Sequence, residues 1–200
     1  MNQERAATRI RRQAVLAAAL ECFAEADVES VSIAEICKRS GASVGSFYHH
    51  FGSKDGIVVA LIADGLEAHL NALNQTLEKV QGDAQRGIEA VVVTLIDWIE
   101  ANPGWAMFIY ANLSRSGVSS AESIRVVNRR YGQTINDFFT PLMDNGQMRT
   151  LPRECWSSLV AAPIHDYARR WIRDQVNKSP SEQKDVFCDA AWRIFKPEKG

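Results

Sequence analysis

Between Ser32 and Lys54 the chain sets helix starts and helix stops in quick succession, and this punctuation restricts the fold more than any other feature. Ser32-Ile33-Ala34-Glu35 has the form of a capping box, in which a hydroxyl and a carboxylate satisfy free backbone N–H groups at a helix start. Ser40-Gly41 ends that helix, Ser43 caps the next, and Gly52 breaks the chain before Ser53 opens a longer one. Helices this short do not persist alone in water, so they need a brace. The long helix predicted over about residues 4–25 supplies it. Gly41 suits the tight turn between the short helices because a left-handed backbone costs glycine nothing. Two short helices with such a turn, braced by a longer first one, form the layout that lays a second helix in a DNA major groove.

Elsewhere Pro and Gly are sparse and apolar residues recur at three and four positions, so the chain reads as all-α with about nine helices. Ile10, Ala14, Ala17, Ala18 and Cys22 read as the apolar stripe of the first helix. Val58, Leu61, Ile62, Leu66, Leu70, Leu73 and Leu77 do the same for the fourth. A fifth is expected over about 84–101 and a sixth from Asn102-Pro103, an Asx cap with Pro in the first turn. The seventh, about 119–144, carries Ile124, Val127, Tyr131, Ile135, Phe138 and Leu142 and stops at Asp144-Asn145-Gly146. An eighth follows Pro152 to about Val176, with Pro163 expected to kink or open it, and a ninth runs from Ser179-Pro180-Ser181-Glu182 to near Phe195. No internal repeat is visible. The expected division is a helix-turn-helix DNA-binding head over 1–54 and a helical body over 55–200, with a continuous fourth helix coupling them.

The formal charge of −1 does not by itself favour a polyanionic partner, but its distribution matters. Arg5, Arg9, Arg11 and Arg12 stand together with no acid between positions 5 and 20, a basic tip where a phosphate backbone could be met. Cys22, Cys37, Cys155 and Cys188 are far apart with no CxxC pair, which suits reduced thiols and argues against a metal site. No uninterrupted apolar run approaches the length of a membrane span, so a soluble, cytoplasmic protein without a membrane partner is expected. Ser157 or Ser158 with His165 and Asp166 are residue types of a hydrolase triad, but there is no G-x-S-x-G elbow and adjacent His and Asp diverge on a helix. Gly52-Ser-Lys-Asp-Gly56 lacks the spacing of a phosphate loop. No catalytic residue, cofactor or metal ligand is assigned, and the chain does not read as an enzyme.

In the third helix Phe47 and Phe51 can anchor one face, leaving Val44, Gly45, Ser46, Tyr48 and His49 to face outward. Small side chains there permit close approach, Ser and His can bond base edges or phosphates, and Val44 can meet a thymine methyl. The stretch from Arg9 to Leu61 resembles the TetR family head, in the order Cys22-Phe23-Ala24-Glu25, Ser32-Ile33-Ala34-Glu35-Ile36, Ser40-Gly41-Ala42-Ser43-Val44-Gly45-Ser46-Phe47-Tyr48-His49-His50-Phe51, then Ser53-Lys54. The resemblance implies that Tyr48, His49 and their neighbours Ser43 to Ser46 contact DNA, that Lys54 meets a phosphate, and that the second helix does likewise through Ser32 and Ile33. Asp27 departs from the family, which commonly has Gly in that turn, so a left-handed and somewhat strained Asp is expected. The third helix lacks Arg and Lys, which leaves few groups for bidentate guanine contacts.

For the body the resemblance implies a small-molecule effector and a homodimer through the last two helices. Trp156, Val160, Ile164, Tyr167 and Trp171 in the eighth helix, and Phe187, Ala191, Ile194 and Phe195 in the ninth, form stripes that a symmetric four-helix interface would bury, or that pack only within one subunit. Trp98, Trp105, Phe108, Tyr110 and Phe138, with Asn112 and His165 as polar groups, are candidates to line a site for an apolar or aromatic effector. The function expected is a ligand-responsive regulator, a repressor that binds double-stranded operator DNA as a dimer and is released by its effector. A helical interaction protein with a degenerate head is the alternative, and a small helical enzyme a remoter one.

Overall fold

The computed structural model describes residues 2–197, with side-chain surroundings from Thr8 onward. Arg5, part of the expected basic tip, therefore lies outside the described side chains. Among the described residues there are nine α-helices and no strand: α1 (Asn2–Glu25), α2 (Ile33–Ser40), α3 (Val44–Phe51), α4 (Lys54–Glu78), α5 (Ala84–Ala101), α6 (Pro103–Asn112), α7 (Glu122–Asp144), α8 (Ala162–Ile172) and α9 (Lys184–Phe195). They form two compact units, one built from the chain up to Gly65 with Gly104–Arg125, the other from Leu66–Pro103 with the chain from Val126 onward. This division by packing differs from the functional one expected at residue 54, because the first half of α4 and nearly all of α6 pack with α1 to α3.

In the first unit α1 buries Val15, Leu16, Ala18, Ala19 and Cys22. Ile10, Ala14 and Ala17, expected on its apolar stripe, are exposed. A run of alanines offers small groups on every face, so spacing alone does not fix the helical phase; branched Val15 and Leu16 do. The α1–α2 turn is also relaxed where strain was expected. Asp174 is the one described non-glycine residue with positive φ, and the Asp27 carbonyl accepts hydrogen bonds from Ser30 N (2.9 Å) and Val31 N (3.2 Å). Glycine is required elsewhere, at Gly65, where α4 and α6 approach. A Cβ there would lie 2.8 Å from Trp105 Nε1 and 2.9 Å from Ile109 Cδ1. The same indole N–H donates to the Leu61 carbonyl at 2.8 Å, so the absent side chain is what lets Trp105 reach the helix backbone.

The second unit packs α5 against α9 and α8. Phe139, Trp156 and Phe195 form a continuous edge-to-face series at its centre, with ring centroids 5.2 and 4.6 Å apart. Tyr131, Ile135 and Phe138 lie against Leu73, Leu77 and Ala90, as the α7 stripe required. α7 ends as its Asn-Gly signal demands, with Gly146 at φ 78° and Gln147 N bonded to the Leu142 carbonyl at 2.9 Å. The single eighth helix expected after Pro152 is instead a 3-10 turn over Arg153–Cys155, a π turn over Ser157–Ala161, then α8. Pro163 cannot donate to the Leu159 carbonyl, and the wider π turn sits directly before it. α9 is preceded by the reciprocal bonds of its capping box, Ser179 N to Glu182 Oε2 at 2.8 Å and Glu182 N to Ser179 Oγ at 3.4 Å. By length and composition α4 could cross a membrane, but Asp64, Glu67 and His69 interrupt it and its Ile57, Leu61, Leu70, Leu73 and Leu77 are buried in the protein.

Candidate nucleic-acid interface and effector site

Local capping positions the two short helices. Ser32 Oγ accepts from Glu35 N and Ser43 Oγ from Ser46 N, both at 3.1 Å. Each cap uses a lone pair and leaves the hydroxyl proton able to reach a phosphate. Gly41 joins the helices at φ 69°, and its N–H closes α2 on the Cys37 carbonyl. Phe47 and Phe51 bury their rings 5.4 Å apart. The opposite face of α3 presents Val44, 48% exposed, and Tyr48, 50% exposed, one turn apart, with Gly45 and His49 also exposed and Ser46 and Ile33 half-buried. An aliphatic and an aromatic group held outward on a rigid helix is a surface suited to base edges and thymine methyls.

The cations of this unit are arranged less simply than the sequence suggests. Arg12 makes a bidentate pair with Asp64 (2.8 and 3.0 Å) and lies over the Phe51 ring, so it ties α1 to α4 instead of serving the basic tip; that hydrogen bond raises its pKa. Arg9, Arg11 and Lys38 are exposed. Arg39 grips Glu25 through two 2.7 Å bonds and holds that carboxyl below its usual range. Lys54, expected at a phosphate, donates to the carbonyls of Glu29 (2.7 Å) and Val31 (3.0 Å). Two of its three donors thus close the α1–α2 turn, and one remains for a phosphate. Arg115 clamps the same turn from another direction, 2.5 Å from Glu29 and 3.5 Å from Asp55. Nothing local in the sequence marks Arg115, because its partner is 86 positions away.

The effector candidates separate between the units. Trp105, Phe108, Tyr110 and Asn112 belong to the first, where Phe108 stacks on Phe23 at 5.4 Å and the Asn112 amide donates to the Phe108 carbonyl at 2.9 Å. Trp98, Phe138 and His165 belong to the second. There the structure adds a residue that sequence reasoning passed over, His69 on α4. It is 6% exposed, stacked on Tyr131 at 5.7 Å and met edge-on by Trp98 at 5.9 Å. Its Nε2 is buried without a hydrogen-bond partner, as is Thr94 Oγ1, one turn before Trp98 on α5. Burial first, and the neighbouring His165 second, push the His69 pKa down to about 4; burial and Arg169 do the same for His165. Both imidazoles are therefore neutral at pH 7. The signal for His69 was present, since it falls in phase with Ile62 and Leu73 on the apolar stripe of α4.

The stripes expected to pair two subunits are partly used within one. Trp156, Val160, Ile164, Ala191 and Phe195 are buried in the second unit, the second of the two arrangements expected for them. Tyr167 is half-buried, against Phe187 and bonded to the Lys178 carbonyl at 3.0 Å. The apolar groups left outward are different ones: Leu159, Ala162 and Pro163 around the start of α8, and Val186, 63% exposed, with Ala190 on α9.

A braced pair of short helices with an exposed second helix, followed by a larger helical unit, defines a helix-turn-helix head on a helical body. The sequence model "Bacterial regulatory proteins, tetR family" matches residues 15–61, the chain from the middle of α1 through the first turns of α4, so this part of the chain is similar to the TetR family head. It is 34% identical over 84 residues to the HTH-type transcriptional regulator BetI of Escherichia coli O127:H6, which covers 42% of this chain and 43% of BetI. The match thus spans less than half the length of that relative. Similarity to the HTH-type transcriptional activator FasR of Mycolicibacterium smegmatis is lower, 26%, but extends over 82% of this chain and 73% of FasR. Among solved structures, a TetR family transcription regulator from Marinobacter aquaeolei VT8 shares the fold with a TM-score of 0.79 at 17% identity, covering 99% of this chain and 100% of that one. The transcriptional regulator FadR from Bacillus subtilis in complex with stearoyl-CoA gives 0.78 at 14% identity, over 90% of this chain and 97% of its own.

Proposed function

We propose that this protein is a ligand-responsive transcriptional repressor of the cytoplasm that binds double-stranded operator DNA as a homodimer and is released by a small apolar effector. The observation that carries the reading is the outward face of α3, where Val44 and Tyr48 stand exposed on a helix whose other face is locked by Phe47 and Phe51. In this reading residues 1–54 contact DNA, with Ser32, Ile33, Ser43, Val44, Gly45, Ser46, Tyr48 and His49 at the groove and Lys54 offering its remaining N–H to a phosphate. Residues 55–200 hold the effector and the subunit contact. Two half-sites about one or more helical turns apart, ~34 Å each, require a dimer, and the exposed Leu159, Pro163 and Val186 are the surface we assign to it. The stearoyl-CoA complex of a regulator with the same fold supports an effector of apolar character. α4 carries residues of both compact units on one uninterrupted helix, Lys54–Glu78, and is the element we assign to transmit effector binding.

A mobility-shift assay with the DNA upstream of the protein's own gene tests this directly. Binding that weakens as salt rises is expected; no shift at low salt sinks the proposal. A second reading, activation from the same DNA site, is favoured by the likeness to an activator over most of both chains. A reporter fused to the bound promoter separates the two, since deletion of the regulator raises the signal under repression and lowers it under activation.

A further inference from the structure

Among the described residues of the second compact unit three buried polar atoms stand without partners, His69 Nε2, Thr94 Oγ1 and Arg153 Nη1. Buried hydrogen-bonding groups are nearly always paired, so such orphans call for a reason. Trp98 connects His69 and Thr94: Thr94 lies one helical turn before it on α5, and its ring meets the imidazole of His69 edge-on. Tyr131 stacks on the other side of that imidazole, at an interplanar angle of 22°. The imidazole of His69 is thus framed by two aromatic rings. The ionisable group that acts on His69 is His165, itself kept neutral by burial, while Arg130 is paired with Glu67 at 2.6 Å and Arg169 with Asp166 at 3.7 Å.

We infer that His69 and Thr94 form the polar end of the effector site, and that it selects an uncharged molecule with an aromatic or apolar body and a hydroxyl, carbonyl or amide that bonds His69 Nε2. This rests on the reading of the body as effector-binding. An imidazole this buried resists protonation, so at neutral pH it offers a carboxylate or phosphate no countercharge, whereas a hydroxyl or carbonyl needs none. A ligand that satisfies a buried orphan gains selectivity over an analogue lacking the group, because the analogue leaves the atom unpaired.

Three probes of one shape test this: 4-ethylphenol, ethylbenzene and 4-ethylbenzoate, with binding read by calorimetry at pH 7.5 and DNA release by mobility shift. The expected result is that 4-ethylphenol binds at least tenfold more tightly than ethylbenzene and that 4-ethylbenzoate does not bind. In His69→Phe the tenfold preference disappears while the melting temperature without ligand is unchanged or higher; Thr94→Val, of matching shape, reduces the preference without loss of fold. Benzoate binding equal to or tighter than phenol, a preference that survives in both variants, or no binding by any probe overturns the inference. Should the phenol bind through His69 and leave the DNA complex intact, the inference stands and the regulatory reading falls.

Discussion

Replacing Lys54 by Met separates two jobs that one ammonium can hold. The substitution keeps the apolar stem and removes bonds of 2.7 and 3.0 Å to the Glu29 and Val31 carbonyls. Hydrogen bonds from a charged donor contribute about 1.5–3 kcal/mol each when shielded. Here the site is near the surface, and water can reach at least the Glu29 carbonyl, so the expected loss for the pair is ~1–2 kcal/mol. For a chain of this length each kcal/mol lowers the melting temperature by about 2–4 °C, which predicts a fall of roughly 2–8 °C. Arg115 still clamps Glu29, so the fold should persist. The second readout is the salt dependence of DNA binding. Each phosphate that the protein no longer neutralises lowers the magnitude of the log–log slope by about 0.9. With two N–H groups on the turn and the third at a phosphate, melting falls, affinity drops and the slope decreases by about one phosphate's worth. An unchanged melting temperature with a slope smaller by one phosphate's worth would refute the argument and return Lys54 to the phosphate alone.

Gly65→Ala should destabilise despite a gain of about 1 kcal/mol in helix propensity. Overpacking costs ~1–3 kcal/mol, and displacing Trp105 from the Leu61 carbonyl adds about 1 kcal/mol, so urea unfolding should show a net loss; a more stable variant would contradict the close approach. Acidification should weaken the fold. His69 has a folded pKa of about 4 against 6.5 when unfolded, so the unfolded chain binds the extra proton between those values and stability falls as pH drops through that window. The loss for His69 alone is about 2 kcal/mol between pH 7 and pH 5, measurable by denaturant titration, and His69→Phe should flatten that dependence. Val186→Glu places a charge at the most exposed part of the proposed subunit contact; sedimentation should show a shift toward monomer with the melting of secondary structure little changed, and an unaltered dimer would remove α9 from the interface.

Much of the head was readable because its determinants are local. A cap needs one hydroxyl three residues from an N–H, and a left-handed turn needs one glycine, so Ser32, Ser43, Gly41 and Gly52 identify α2 and α3 without tertiary information. The phase of α1 was not readable, because alanines fill both faces. Ion pairs escaped for a different reason: Arg12 and Asp64 are 52 positions apart, and no pattern in the chain says which arginine leaves the surface. In the body, aromatic residues identify an apolar region but not their role in it. Phe108 and Trp105 are accounted for by Phe23 and Leu61, whereas His69 carries an unmet hydrogen-bonding need that only burial reveals. Pro163 announced an irregularity, and the π turn before it is the form that irregularity takes.

The ties from α1 and the α1–α2 turn to Asp64 and Arg115 bear on how such regulators can be recombined. A graft cut at residue 54 would carry the helix-turn-helix but abandon the carboxylate that holds Arg12 and the guanidinium that holds Glu29. Residues through Gly65 would restore only the first. The helix-turn-helix of this protein is therefore not a detachable cassette: a chimaera that exchanges it must also bring the Gly104–Arg125 segment, or supply an acceptor body with an equivalent cation.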